Sequence, residues 1–176
     1  MNNFYLSIDL ALNKTGVVLL FKDKVHAFKI IKNKTTESLE SKLKNLEINL
    51  INFINNTLNS DSQVIILIEK PYLKIFNNLN IDTTYKMIFT LGWIVNALVK
   101  QNIKKKIFLI NNQQWKKFFS PQNMSKETTT KTINSIFSLD IKLKDHDLAD
   151  CVAMYYAFRH YKDQKIINKL CFSDNF

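Results

Sequence analysis

The chain alternates short apolar runs with longer amphipathic stretches, and this alternation predicts its elements. Phe4-Tyr5-Leu6-Ser7-Ile8-Asp9-Leu10 belongs to a strand over 4–11. Asn13-Lys14-Thr15-Gly16 is a turn signal. Val17 to Phe21 and Val25 to Ile31 read as two further strands around the short turn Lys22-Asp23-Lys24, which completes an antiparallel meander. Leu39, Leu43, Leu46, Leu50 and Phe53 then recur at helical spacing, with Thr36 as the N-cap. Residues 63–69 are short, β-branched and apolar on both faces, the pattern of a buried strand.

The second half continues in the same way. A helix is predicted over Ile81–Gln101, a strand over Lys106–Ile110 and a short helix from Gln113 to Phe119. After a loop around Pro121, Ser125 caps a helix that runs to about Ser138. The last helix starts at Asp145 or His146 and reaches about Tyr161. The order βββ-α-β-α-β-α-α-α predicts an α/β fold: a five-stranded mixed sheet with helices on both faces. Right-handed crossovers set the fourth strand beside the first. No repeat or linker divides the chain, so residues 1–164 read as one domain and 165–176 as a tail, either a short extra element or a frayed end.

Four acids break the apolar pattern. Asp9 lies within the first strand, and Glu69 ends the run Val64-Ile65-Ile66-Leu67-Ile68. Asp147 and Asp150 stand three apart on one face of the last helix. A carboxylate inside an apolar strand is costly to bury unless it is paired or holds a metal. Two such strands and one such helix can bring four carboxylates to one point. Hard oxygen ligands of this kind suit Mg²⁺, with Mn²⁺ as a substitute.

Composition sharpens that reading. The 176 residues carry a net charge of +10, which favours a polyanionic partner, although a chain so rich in Lys, Asn and Ile also shows AT-driven drift. A carboxylate metal site on a basic protein points to phosphodiester cleavage in nucleic acid. No stretch approaches the ~20 apolar residues of a membrane span. The N-terminus lacks a basic segment ahead of its first apolar run, which argues against a secretory signal. The two cysteines, Cys151 and Cys171, form no metal-spaced pair; Cys151 reads as a small core residue, and the expected compartment is a reduced cytoplasm.

The ordered set of motifs resembles the RuvC family of Holliday-junction resolvases, within the ribonuclease H-like superfamily. The resemblance rests on Ile8-Asp9-Leu10 followed by Thr15-Gly16, on Ile68-Glu69-Lys70-Pro71-Tyr72, on Leu91-Gly92, on Ser125-Lys126 and on Asp147-Leu148-Ala149-Asp150-Cys151. It covers about residues 4–160 in the right order. One departure is Ala11, where the family usually carries glycine two residues after the first Asp. The resemblance implies a homodimer that resolves four-way DNA junctions by symmetric paired nicks in recombination and repair. It implies two Mg²⁺ ions per site, held by Asp9, Glu69, Asp147 and Asp150. It also implies that Tyr72 stacks on a base at the junction centre and that Lys126 offsets charge at the scissile phosphate. Lys116 and Lys117 resemble a second basic position, with plain DNA-backbone contact as the alternative.

Other readings stay open at this level. Asp145 competes with Asp147, but helix N-termini favour acids in any case. His146 can serve as a general base or as an ordinary surface histidine. Lys104-Lys105-Lys106 reads as a solvated turn before a strand. Trp93 and the stripe Leu91, Ile94 and Leu98 suit core or subunit contact. The broader functional alternative is a nuclease of branched DNA or RNA–DNA hybrids. A junction-binding protein without activity would have no use for the carboxylates, and a sugar-kinase-like fold would need a longer chain with more glycine than two.

Overall fold

The structure is a computed structural model that describes residues 3–71, 81–119, 125–163 and 171–172. Tyr72 lies outside the described residues. Three antiparallel strands come first: β1 (Phe4–Asp9), β2 (Lys14–Phe21) and β3 (Lys24–Lys32). Helix α1 (Leu39–Thr57) leads to β4 (Gln63–Lys70), α2 (Ile81–Val99) to β5 (Lys104–Asn111). Then follow α3 (Asn112–Phe119), α4 (Lys126–Phe137), a 3₁₀ turn (Leu143–Asp145), α5 (His146–Asp163) and the two-residue β6 (Cys171–Phe172). The sheet order is β3-β2-β1-β4-β5-β6. Strand β4 lies parallel to β1 and β5 parallel to β4, as crossover connections require. The short extra element in the tail is β6, antiparallel to β5 through Leu109↔Phe172 and Ile110↔Cys171.

The two faces of the sheet carry separate cores. Leu6 and Ile8 of β1, with Val64, Ile66 and Ile68 of β4, pack against α1 and α2 through Leu46, Leu50, Phe53, Ile94 and Leu98. The alternate residues Tyr5, Ile65 and Leu67 face α3, α4 and α5, with Trp115, Ile133 and the run Leu148–Tyr155. Pleating therefore fixes where the strand acids point. Asp9 continues the series Tyr5, Ser7; Glu69 continues Ile65, Leu67; both side chains emerge on the α5 face.

Three local expectations are revised and a fourth is narrowed to core contact. Ser38, not Thr36, caps α1, its hydroxyl accepting from the Ser41 N–H at 3.2 Å. The cap sits where the apolar stripe begins, one residue before Leu39. Lys14, Thr15 and Gly16 already belong to β2, so the turn comes earlier. Lys104-Lys105-Lys106 is no turn: it pairs with Gln63-Val64-Ile65 at the start of β5. Among the described residues β5 pairs outward with β6 through Leu109 and Ile110 and not through these lysines, whose charge blocks unwanted pairing. Trp93 and the stripe beside it are intrachain contacts: Ile94 and Leu98 are fully buried, and the Trp93 Nε1–H donates to Glu47 Oε2 on α1 at 2.6 Å.

One long-range clamp also fixes α5. Asp23 sits at the β2–β3 turn with a positive φ of 60°. It accepts hydrogen bonds from the Tyr155 hydroxyl and from Arg159 Nη1, the latter at 3.1 Å. Arg159 is the single arginine of the chain against 24 lysines, and it also lies over the Tyr5 and Tyr155 rings. A planar guanidinium can stack and form hydrogen bonds at once, which a lysine cannot.

Candidate active site

Strand register places the first two acids side by side. Ile8 of β1 partners Ile68 of β4, so Asp9 and Glu69 are the next residues on adjacent parallel strands. Both stand at the carboxyl ends of those strands, where open α/β sheets bind their ligands. Helix α5 crosses directly over them. Its approach needs Gly16, the antiparallel partner of Asp9: a Cβ there would stand 2.7 Å from the Asp147 carbonyl oxygen. Gly16 therefore serves clearance, not turn formation.

Two polar contacts hold α5 on β1. The Ser7 hydroxyl donates to the Cys151 carbonyl at 2.7 Å. The Cys151 Sγ accepts the Asp9 N–H at 3.2 Å and faces the Gly16 carbonyl at 3.3 Å. Burial pushes the Cys151 thiol well up, so it keeps its proton to donate to Gly16. Cys151 is thus in the core, as its pattern predicts, and it also ties the strand that carries Asp9 to the helix that carries Asp150. The β1–β2 loop is braced separately, by the Thr15 hydroxyl donating to the Ala11 carbonyl at 2.6 Å and by Asn33 Nδ2 donating to the Leu12 carbonyl at 2.6 Å. Among the described residues only Lys22, Asp23 and Ser138 have positive φ outside glycine. Ala11 is not one of them, so its side chain stands there without backbone strain.

The carboxyls perturb one another. Burial, then the charge of Glu69, pushes Asp9 well above the ordinary carboxylate range, with Asp147 adding to the effect. Glu69 is also raised, mainly by burial; Asp9, Lys116 and Trp115 act in the opposite sense. Both members of the pair are thus held above the ordinary carboxylate range. Asp150 is raised to about 7 by burial first and by the charge of Asp9 second. Asp147 is only 8% exposed. It forms an ion pair with Lys14 through its sealed Oδ2, with no aligned hydrogen bond, and meets His146 Nε2 at 3.4 Å through Oδ1.

The cations are placed as selectively as the acids. Lys116 of α3 acts on Asp9, Glu69 and Asp150 together, while Lys126, the first residue of α4, acts on Asp150. Lys117 is exposed. Asp145 lies in the 3₁₀ turn, so Asp147 is the acid of that pair that joins the group. His146 touches Asp147 and the Leu143 carbonyl, the latter at 3.2 Å from Nδ1.

Does this set fit a divalent cation? Among the described residues no three Asp, Glu, His or Cys side chains stand in a ready-closed ligand arrangement. Lys14 holds Asp147 in an ion pair. The donor chemistry nevertheless fits. All four donors are hard carboxylate oxygens, and three of them are raised by burial and mutual repulsion. A divalent cation would relieve that repulsion, with Lys14 displaced from Asp147.

Sequence reasoning missed four contributors: Lys14, Ser7, the hydrogen bonds of Cys151 and the buried Trp115. Scarcity was the signal for two others. Gly16 is one of two glycines and Arg159 the only arginine, and a residue retained against a biased composition often has a structural task.

No protein-family model matches the chain, and no curated protein does. Solved structures do match its fold. The Thermus thermophilus RuvC in complex with a Holliday junction substrate superposes with a TM-score of 0.72 at 14% identity, over 93% of this chain and 97% of that one. A second Thermus thermophilus RuvC structure gives 0.68 at 15% identity, with the same coverages of 93% and 97%. The yeast mitochondrial Holliday junction resolvase gives 0.54 at 15% identity, over 91% and 82%. The chain thus has the ribonuclease H-like fold of these resolvases.

Proposed function

We propose that this protein is a metal-dependent, structure-specific endonuclease that resolves four-way DNA junctions by symmetric paired nicks, with a role in recombination and repair. The observation that carries this reading is the convergence of Asp9, Glu69 and Asp150 with Lys116 at the carboxyl ends of β1 and β4. The fold is shared with a RuvC structure that holds a Holliday junction substrate.

Asp9, Glu69, Asp147 and Asp150 would hold two Mg²⁺ ions, with Mn²⁺ as a substitute. Bound there, the cations supply an activated water and neutralise charge on the scissile phosphate. The chain's own groups do the rest. Lys116 opposes the effect of burial on the carboxyls, which favours their ligand role. Lys126, at the start of α4, adds positive charge where the transition state gains negative charge. Lys117 faces solvent and suits contact with the DNA backbone. Tyr72 follows β4 by two residues and is assigned to base stacking at the junction, a contact typically worth ~1–3 kcal/mol.

Paired nicking needs two sites related by a two-fold axis, and a second copy of this chain supplies it. Helix α2 supports that assembly. Tyr85 and Phe89 are 68% and 53% exposed, Ile88 lies beside them, and a Cβ at Gly92 would meet nothing. An apolar helix face open to solvent, with a glycine that admits close approach, suits self-packing. No helix among the described residues is long and apolar enough to cross a membrane.

Asp9→Asn tests the reading. It should abolish cleavage of a four-way junction while leaving junction binding intact. Retained cleavage would remove Asp9 from the chemistry.

A further inference from the structure

We propose that the groove between β5 and the last turns of α5 binds an unpaired nucleotide of a nucleic-acid strand, its base against Phe108 and its phosphates among Lys104, Lys106 and Lys162. The groove has a volume of about 460 Å³, within the ~300–1,000 Å³ of small-ligand sites. It lies at the opposite end of the sheet from the acids. Lys106 partners Ile65, and Glu69 follows on the same strand, so roughly 13 Å of β4 separates the two places. Binding here does not depend on what the acids do.

Pleating builds the groove. Lys104, Lys106 and Phe108 alternate along β5, so they share the face on which Phe108 and Ile110 join the α5 core. Lys105 and Ile107 belong to the other face, where Lys105 Nζ donates to the Gln101 carbonyl. On α5, Phe158 and Lys162 stand four apart and so lie on one side of the helix. The Phe108 and Phe158 rings meet at 5.0 Å between centroids and wall the inner end, while the three lysines line the same groove. None of these lysines has an ion-pair or hydrogen-bond partner among the described residues, and no acid among them lines the groove. Protection of a sheet edge explains charge on β5, but neither the aromatic wall nor Lys162 on the facing helix. Lys104 and Lys106 stand ~6.6 Å apart along the strand, close to the spacing of successive phosphates in one nucleic-acid strand. Cations at that spacing beside an aromatic wall hold the backbone while a base stacks on a ring. A duplex offers no free base face to such a wall, which favours an unpaired nucleotide.

Fluorescence anisotropy with a labelled oligothymidylate of ~10 nucleotides tests the assignment, on the full chain with divalent cations chelated. Replacing Lys104, Lys106 and Lys162 together by Gln should weaken binding at least ~10-fold. It should also lower the slope of log affinity against log salt by about 2, since each single-strand phosphate contact contributes ~0.7. Phe108→Leu keeps an apolar wall and all three lysines. It should weaken oligothymidylate binding on the order of 10-fold, leave the salt slope unchanged and leave binding of an abasic oligomer of equal length unchanged. Unaltered affinity and slope in the lysine variant would overturn the proposal, as would equal losses on the two oligomers in Phe108→Leu. Displacement of the oligomer by micromolar thymidine monophosphate would make this a pocket for free nucleotides and overturn the assignment to a strand. Because no metal is present, an active junction nuclease with an unchanged slope would refute this proposal alone.

Discussion

Asp150→Asn should stabilise the cation-free protein, and by an amount that depends on pH. The Asp150 carboxyl titrates near 7 in the folded chain against an ordinary value of 3.8. The folded state therefore holds this proton more tightly than the unfolded state does. Stability from this group is complete below about 3.8 and is lost as pH rises towards 7. At 1.36 kcal/mol per pH unit, the penalty is at most about 4 kcal/mol at pH 8 and roughly 2 kcal/mol at pH 5. Asparagine keeps the shape of the side chain and carries no charge, so it removes that penalty. Urea unfolding of both proteins at pH 8 and pH 5, with divalent cations chelated, reads the difference. The variant should be the more stable at both, with the larger gain at pH 8. A domain of this size gains about 2–4 °C in Tm per kcal/mol, so the effect is also visible by melting. Added Mg²⁺ should then raise the wild type more than the variant, because ligand binding to the folded state adds stability. A gain that is flat with pH, or a variant less stable at pH 8, would refute the picture of buried, mutually repelling acids.

Three further outcomes are expected. Gly16→Ala forces a Cβ to 2.7 Å from the Asp147 backbone; overpacking of this kind costs about 1–3 kcal/mol, and cleavage should fall further than Tm alone explains, because α5 carries two of the acids. Equal activity after correction for the folded fraction would show that α5 can shift freely. Lys116→Gln removes the charge that lowers Asp9, Glu69 and Asp150, so the acid limb of the cleavage–pH profile should move to higher pH; an unmoved limb would separate Lys116 from the acids. Phe89→Glu should shift the protein from dimer to monomer in sedimentation and end paired nicking, whereas a dimer that persists would place the interface elsewhere.

Much of this architecture is legible in the sequence because burial leaves a periodic trace. Strand β4 is apolar on both faces since helices cover both, and Glu69 stands out at its end for that reason. Asp9 is legible by the same contrast. Contacts between distant parts of the chain leave no such trace. Lys14 and Asp147 form their ion pair across 133 positions, and no periodicity links them. Gly16 looks like a turn residue because sequence alone cannot tell a glycine that bends the chain from one that admits a neighbouring helix. The lysines at the start of β5 look like a loop because charge usually marks solvent, and on a sheet edge it marks solvent within a strand.

The most direct test of the central claim is to map the cuts in a labelled synthetic four-way junction incubated with the purified chain and Mg²⁺. Linear duplex and an RNA–DNA hybrid serve as companions. Symmetric paired nicks in the junction alone, lost on chelation and in Asp9→Asn, are the predicted result. Unpaired cuts, cutting of the hybrid or of linear duplex, or cleavage that survives chelation would contradict it.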